Sequence, residues 1–210
     1  MKKVVRRYIV LAQYSFARFI LKQVFNKVVK HNELLLADIE ANFNAYNCSA
    51  HLTSAFRKFE HLAKFYPAFN SVFKYRTKYD GFWFRKVTMT EDFAFKIFKS
   101  SKIEGGLVCF HPYATVINAK SIGRNFTFRN GLTIGNKGDD NTQLPVIGND
   151  VEVGANVCII GKITVGNNVT IGAGAVVVKD VPDNAIVVGN PAKILRIKST
   201  DSGSYEGSYK

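Results

Sequence analysis

The chain has 210 residues, 47% of them hydrophobic, which excludes wholesale disorder and suffices for one good core or two small ones. Its formal net charge of +13 is concentrated in residues 1–90, which hold 16 Lys and Arg against 5 Asp and Glu, whereas residues 91–210 hold 13 against 11. Three cysteines, Cys48, Cys109 and Cys158, lack C-x-x-C spacing and point to neither a disulfide framework nor a metal site.

The first predicted element is a basic amphipathic helix. Val5, Ile9, Ala12, Phe16, Phe19, Ile20 and Val24 recur at three- and four-residue steps. Lys2, Lys3, Arg6, Arg7, Arg18, Lys22, Lys27 and Lys30 all precede the first acidic residue, Glu33. The longest early apolar run, residues 8–12, is too short for a signal-peptide core or a membrane span. A cytoplasmic protein is expected, with residues 1–30 available for peripheral contact at the inner face of the membrane. Nucleic acid is not an expected partner, because the positive charge carries no recognition motif.

Further helices follow. Asn32 reads as the N-cap of a second helix and Ser49 as that of a third reaching Phe65, after which Pro67 breaks the chain. Asp80 and Gly81 mark a turn before the segment F-W-F, whose rings read as helix-packing core, and a last short helix is expected after Thr90. His31, His51 and His61 lie in this helical part without a partner motif and read as structural or surface residues.

After Gly105 and Gly106 the period becomes six. Phe110, Val116, Ile122, Phe128 and Ile134 keep that step; after an interruption so do Ile147, Val153, Ile159, Val165, Ile171 and Val177. A helix repeats every 3.6 residues and a flat strand every 2, so a beat of six requires a chain that turns a corner once per repeat. Three short strands per turn make a triangular coil of about eighteen residues that buries the repeated aliphatic side chain. Asn125, Asn149, Asn167 and Asn168 suit the corners. The expected organisation is an α-helical region over 1–104, a mixed α and β chain continuing as a parallel β-helix over 105–197, and a polar tail over 198–210. On this phase Phe110 points inward, while Cys109 and His111 point outward.

The blocks I-G-N-D-V-E-V-G-A-N-V, V-G-N-N-V-T-I-G-A-G-A-V-V, K-D-V-P and V-V-G-N-P-A-K-I-L-R, together with H-P-Y-A-T-V-I and T-I-G-N-K-G, resemble hexapeptide-repeat acyltransferases. The likeness is to the serine-acetyltransferase-like branch, which includes relatives associated with polysaccharide biosynthesis. It implies a left-handed β-helix and an acetyl-CoA-dependent O-acetyltransferase that works as a homotrimer without a metal. It also implies His111 as general base toward an acceptor hydroxyl, in a direct transfer without a covalent enzyme intermediate. An imidazole, with an ordinary pKa of about 6.5, suits that task.

The Asn130 side chain and the amides of residues 135–145 are candidate donors to the developing oxyanion. The resemblance implies Ala155 and Ala173 against the pantetheine arm, Val178 and Lys179 beside them, and Lys193 and Arg196 for the phosphates of the coenzyme. Three features depart from the serine enzymes. Phe110 stands where they carry an aspartate, which leaves the orienting partner of His111 unassigned. Leu144 and Pro145 replace a substrate-binding histidine and proline, and the chain ends in S-Y-E-G-S-Y-K. On these last two a small acceptor or a glycan, as a polysaccharide or nucleotide-sugar precursor, is expected to supply the hydroxyl. Serine O-acetylation and a non-catalytic membrane-associated scaffold are the alternatives.

Overall fold

A computed structural model describes residues 2–49, 51–138, 140 and 142–198, with the side chains of residues 2–11 outside the description. Of the polar tail expected over 198–210 only Lys198 is described, its amide donating to the Asn184 carbonyl at 2.7 Å; the rest lies outside the described residues, as do the side chains of Lys2, Lys3, Arg6 and Arg7.

Five helices come first: α1 (Lys2–Val24), continued by a π-helical turn at Phe25–Val29, then α2 (Glu33–Ala45), α3 (Ala55–Phe65), α4 (Pro67–Thr77) and α5 (Phe82–Val87). Asn32 caps α2 as expected, its side chain accepting from the Leu35 amide at 3.1 Å. The expected cap at Ser49 is corrected: Ser54 caps α3, accepting from the Arg57 amide at 3.3 Å. Pro67 opens α4 instead of ending structure, since its missing N–H is one that a first helical turn leaves unbonded anyway. The helix expected after Thr90 does not form; F-W-F itself makes α5, and the chain then enters strands. Of its three rings only Phe84 is buried.

The second part is a solenoid of two- to five-residue strands on three faces. The first face stacks β1 (Lys96–Ile97), β4 (Val116–Ile117), β7 (Thr133–Gly135), β10 (Cys158–Ile160) and β13 (Val176–Val177). The second stacks β2 (Lys102–Ile103), β5 (Ser121–Ile122), β8 (Val146–Ile147) and β11 (Thr164–Val165). The third stacks β3 (Val108–Phe110), β6 (Thr127–Arg129), β9 (Glu152–Val153), β12 (Thr170–Ile171) and β14 (Ala185–Val188). All of these pair in parallel; only the closing strand β15 (Lys193–Ile197) is antiparallel, against β14. The coils begin at Lys96, ahead of the boundary expected at residue 105.

The two-residue strands from β5 onward each send one side chain inward. Ile122, Phe128, Ile134, Ile147, Val153, Ile159, Val165, Ile171 and Val177 are buried, as the six-residue beat requires. Asn side chains bind the corner between the second and third faces coil to coil: Asn149 accepts from the Arg124 amide, Asn167 from the Asn149 amide, and Asp183 from the Asn167 amide.

The phase of the first coils is corrected. Cys109 pairs with Phe128 and is fully buried, and Ile117 pairs with Ile134, so Cys109 and Ile117 point inward while Phe110 and Val116 do not. The true step there is eight residues, then five to Ile122. The apparent six-residue spacing through Phe110 and Val116 picks out outward neighbours.

Helices and solenoid share a buried seam. The Asp38 carboxylate of α2 accepts from Arg76 of α4 at 2.7 and 3.1 Å and from the amides of Gly106 and Leu107 at 2.8 and 2.7 Å. Arg76 in turn donates to the Ile103 and Glu104 carbonyls. Burial pushes the Asp38 carboxyl above its ordinary range, while Arg76 and the two amides pull it back.

Candidate active site

His111 owes its position to the eight-residue step. The register of β3 with β6 ends at Phe110 opposite Arg129. One corner later, Gly131 donates to the Tyr113 carbonyl at 2.8 Å, so Tyr113 stands in the coil position of Asn130. His111 and Pro112 are therefore two extra residues extruded at the corner between the third and first faces. A tight turn holds the excursion: the Tyr113 amide donates to the His111 carbonyl at 2.7 Å, and Pro112 is buried. His111 adopts φ +48°, a left-handed conformation uncommon outside glycine, and its side chain is exposed. The outward direction expected for it is found, though for a different reason from the one the hexad phase gave.

A column of residues climbs the same corner. Ala114 donates to the Phe93 carbonyl, Gly131 to Tyr113, Asn156 to Asn130 and Gly174 to Ala155, each at 2.8–2.9 Å. Ala94, Ala114, Gly131, Asn156 and Gly174 take the left-handed conformation that turns each coil. The residues before them stack in a column about 4.8 Å apart: Phe93, buried beneath Tyr113, then Tyr113, Asn130, Ala155 and Ala173. The structure thus brings His111, Asn130, Ala155 and Ala173 to one edge. That edge is flat toward its C-terminal end, where the side chains are single methyls. The coils approach so closely there that a Cβ on Gly154 would lie 2.5 Å from the Ala173 amide nitrogen.

Val178, Lys179 and Lys193 lie elsewhere, around a cavity of about 160 Å³ between the end of β13 and residues 191–194. Arg196 sits on β15 opposite Ile186, outside both groups. The segment after β7 lies at the corner joining the first and second faces, so within one chain the amides of its described residues (136–138, 140 and 142–144) are separated from His111 by the width of the first face.

Several residues at the site went unnoticed in the sequence. The Arg129 guanidinium lies 4.9 Å from the centre of the Phe110 ring, which packs edge-on against Tyr46 at 5.2 Å. The Tyr46 hydroxyl donates to the Cys109 carbonyl at 2.7 Å, so the end of α2 fixes the strand that leads into His111. The Tyr113 hydroxyl donates to Glu91, and that hydrogen bond raises the phenol above its ordinary range. Among the described residues no side chain hydrogen-bonds the His111 ring. Cys109, expected to face outward beside it, donates instead to the Ala68 carbonyl at 3.5 Å, and burial pushes its thiol far up, which removes it as a nucleophile. The spacing of Cys109 and Ile117 across a proline was the available signal for the excursion.

The solenoid with its three faces and tight corners matches the fold of a left-handed β-helix built from hexapeptide repeats. Residues 145–179 match the family model for bacterial transferase hexapeptide (six repeats). The chain is 52% identical over 107 residues to WcaB of Escherichia coli K12, assigned by name to acetyl transfer in colanic acid biosynthesis; the match covers 50% of this chain and 66% of that protein, just under two thirds. It is 39% identical over 109 residues to the mitochondrial serine acetyltransferase 3 of Arabidopsis thaliana, covering 51% of this chain and 28% of that one. Among solved structures, serine acetyltransferase from Neisseria gonorrhoeae superposes with a TM-score of 0.63 at 26% identity, over 84% of this chain and 69% of the other.

Proposed function

We propose that the protein transfers acetyl from acetyl-CoA to a hydroxyl of a glycan or nucleotide-sugar precursor, with His111 as general base. The observation that carries this reading is the extruded, exposed His111 at the head of a column that becomes a flat wall at Ala155 and Ala173. Acetyl transfer is also what the names of both sequence relatives state. The greater identity to the relative named for colanic acid biosynthesis favours a sugar hydroxyl over serine.

In the reaction the His111 imidazole takes the proton of the acceptor hydroxyl as its oxygen bonds to the thioester carbonyl carbon. The Asn130 side-chain amide, one coil away, donates to the carbonyl oxygen as charge develops on it. The C–S bond then breaks, and the imidazolium returns its proton to the departing sulfur. Ala155 and Ala173 let the pantetheine arm lie against the coil. Val178 borders it, and Lys179, Lys193 and Arg196 supply cations for the phosphates. Arg129, next to the root of His111, supplies a cation for an acidic group on the acceptor.

A homotrimer belongs to the same proposal. The described residues between β7 and β8 and the lysine-lined cavity do not reach the His111 corner of their own chain, and a neighbouring copy supplies them. The deciding experiment measures acetyl transfer from acetyl-CoA to a panel of sugars and to serine by the parent and by His111→Ala. The substitution is expected to lower turnover by about 10²-fold or more, the scale of a missing general base. An undiminished rate removes His111 from the mechanism, and transfer to serine alone replaces the glycan acceptor.

A further inference from the structure

The helical part carries an aromatic surface that the reaction does not use. Phe16 and Phe19 of α1 are 45% and 58% exposed, and Phe82 and Trp83 of α5 are 58% and 55% exposed. They form one patch: the Phe16 and Trp83 rings meet edge to face at 5.4 Å, Trp83 and Phe82 at 5.2 Å, and Phe19 lies one turn along α1 from Phe16. Four large rings side by side in water are an anomaly that marks a binding surface. Cations border them. Arg85 and Lys86 flank the rings on α5, with the Lys86 ammonium 5.5 Å from the centre of Phe82, while Lys22, one turn beyond Phe19 on α1, sets its ammonium 4.4 Å from the centre of Phe56. The nearby acid, Asp80, is already engaged with Lys74 at 2.9 Å and Arg85 at 3.6 Å.

We propose that this face of α1 and α5 docks on an anionic lipid bilayer. Such a bilayer offers negative headgroups and, a few ångströms deeper, an apolar layer, in the same order as the cations and rings here. A second copy of the chain would set like charges against each other across a two-fold interface. A single-stranded nucleic acid would need open ring faces for its bases, whereas these rings pack on one another and Lys86 covers Phe82. The contact is superficial, for among the described residues no helix is long and apolar enough to cross a membrane. The surface is wider than residues 1–30, because α5 supplies half of its rings.

Trp83 is the chain's one tryptophan, so its fluorescence reads the docking directly and independently of acetyl transfer. With phosphatidylcholine vesicles containing a quarter phosphatidylglycerol, Trp83 emission is expected to shift to the blue and lose access to acrylamide, with a much weaker response to pure phosphatidylcholine. Phe19→Ser combined with Phe82→Ser is expected to weaken partitioning by at least about tenfold, on the scale of two buried rings lost, with the circular dichroism and thermal unfolding of the parent retained. Emission unchanged by anionic vesicles overturns the proposal. So does a blue shift that follows protein concentration without lipid, or one produced equally by a single-stranded oligonucleotide.

Discussion

The two parts of this chain reach stability by different means. In the solenoid inward side chains stack on their equivalents in neighbouring coils, and corner amides bond to backbone or side-chain oxygens one coil away, so one rule repeated many times builds the core. The helical part has no repeat. It is held by particular side chains: Phe59, Phe69 and Phe73 at its centre, caps at Asn32 and Ser54, and the Asp38–Arg76 pair at the seam. A repeat tolerates a locally irregular coil, which is where His111 emerges, while an assembly of unique contacts depends on each of them.

The largest expected effect tests that dependence at the seam. Asp38→Asn leaves the Arg76 guanidinium, 6% exposed, without its counterion and weakens two amide contacts. Breaking a buried pair from one side costs about 3–5 kcal/mol. Chemical denaturation is expected to show the loss, and hydrogen exchange should locate it in α2 and α4 ahead of the later coils. Uniform deprotection of both parts would mean that the coils depend on the helices as much as the reverse.

A smaller effect sharpens the view of the first coils. Cys109→Ser replaces an inward thiol with a hydroxyl that has the Ala68 carbonyl within reach, and a loss of about 1–3 kcal/mol is expected for burying that group imperfectly. Acetyl transfer should stay within about threefold of the parent, as expected for a residue that takes no part in the chemistry. Loss of turnover without loss of stability would return Cys109 to the site. In the native parent, Cys109 is also expected to resist iodoacetamide, since burial holds its thiol protonated.

What the sequence disclosed follows the same division. Within Ile122–Ile134 and again within Ile147–Val177 the period is regular, and the inward positions there could be placed by counting. In the first coils counting failed. Outward residues there are also apolar: Phe110 lies against Tyr46 of α2, so tertiary contact with the helices hides the true phase. Hydrophobicity also misled at F-W-F, where only Phe84 serves the core and its neighbours form the exposed patch. The positions of Arg129 and the Asp38 seam depend on residues far apart in the chain, and no local pattern announces them.

The smallest expected effect concerns a cap, at the two serines that precede one helix. Ser49 and Ser54 both precede an apolar run, and the hydroxyl gains helix stability only where the following backbone amides turn back toward it. At Ser54, φ −86° and ψ 143° set the extended geometry of a cap, and its Oγ receives the Arg57 amide. Ser54→Ala is therefore expected to cost about 1 kcal/mol, and Ser49→Ala less than about 0.5 kcal/mol, the range of an ordinary surface change. Paired urea denaturation curves distinguish the two. Equal losses would mean that the segment between them contributes to helix initiation, and that the helical part is less strictly a sum of single contacts than the seam implies.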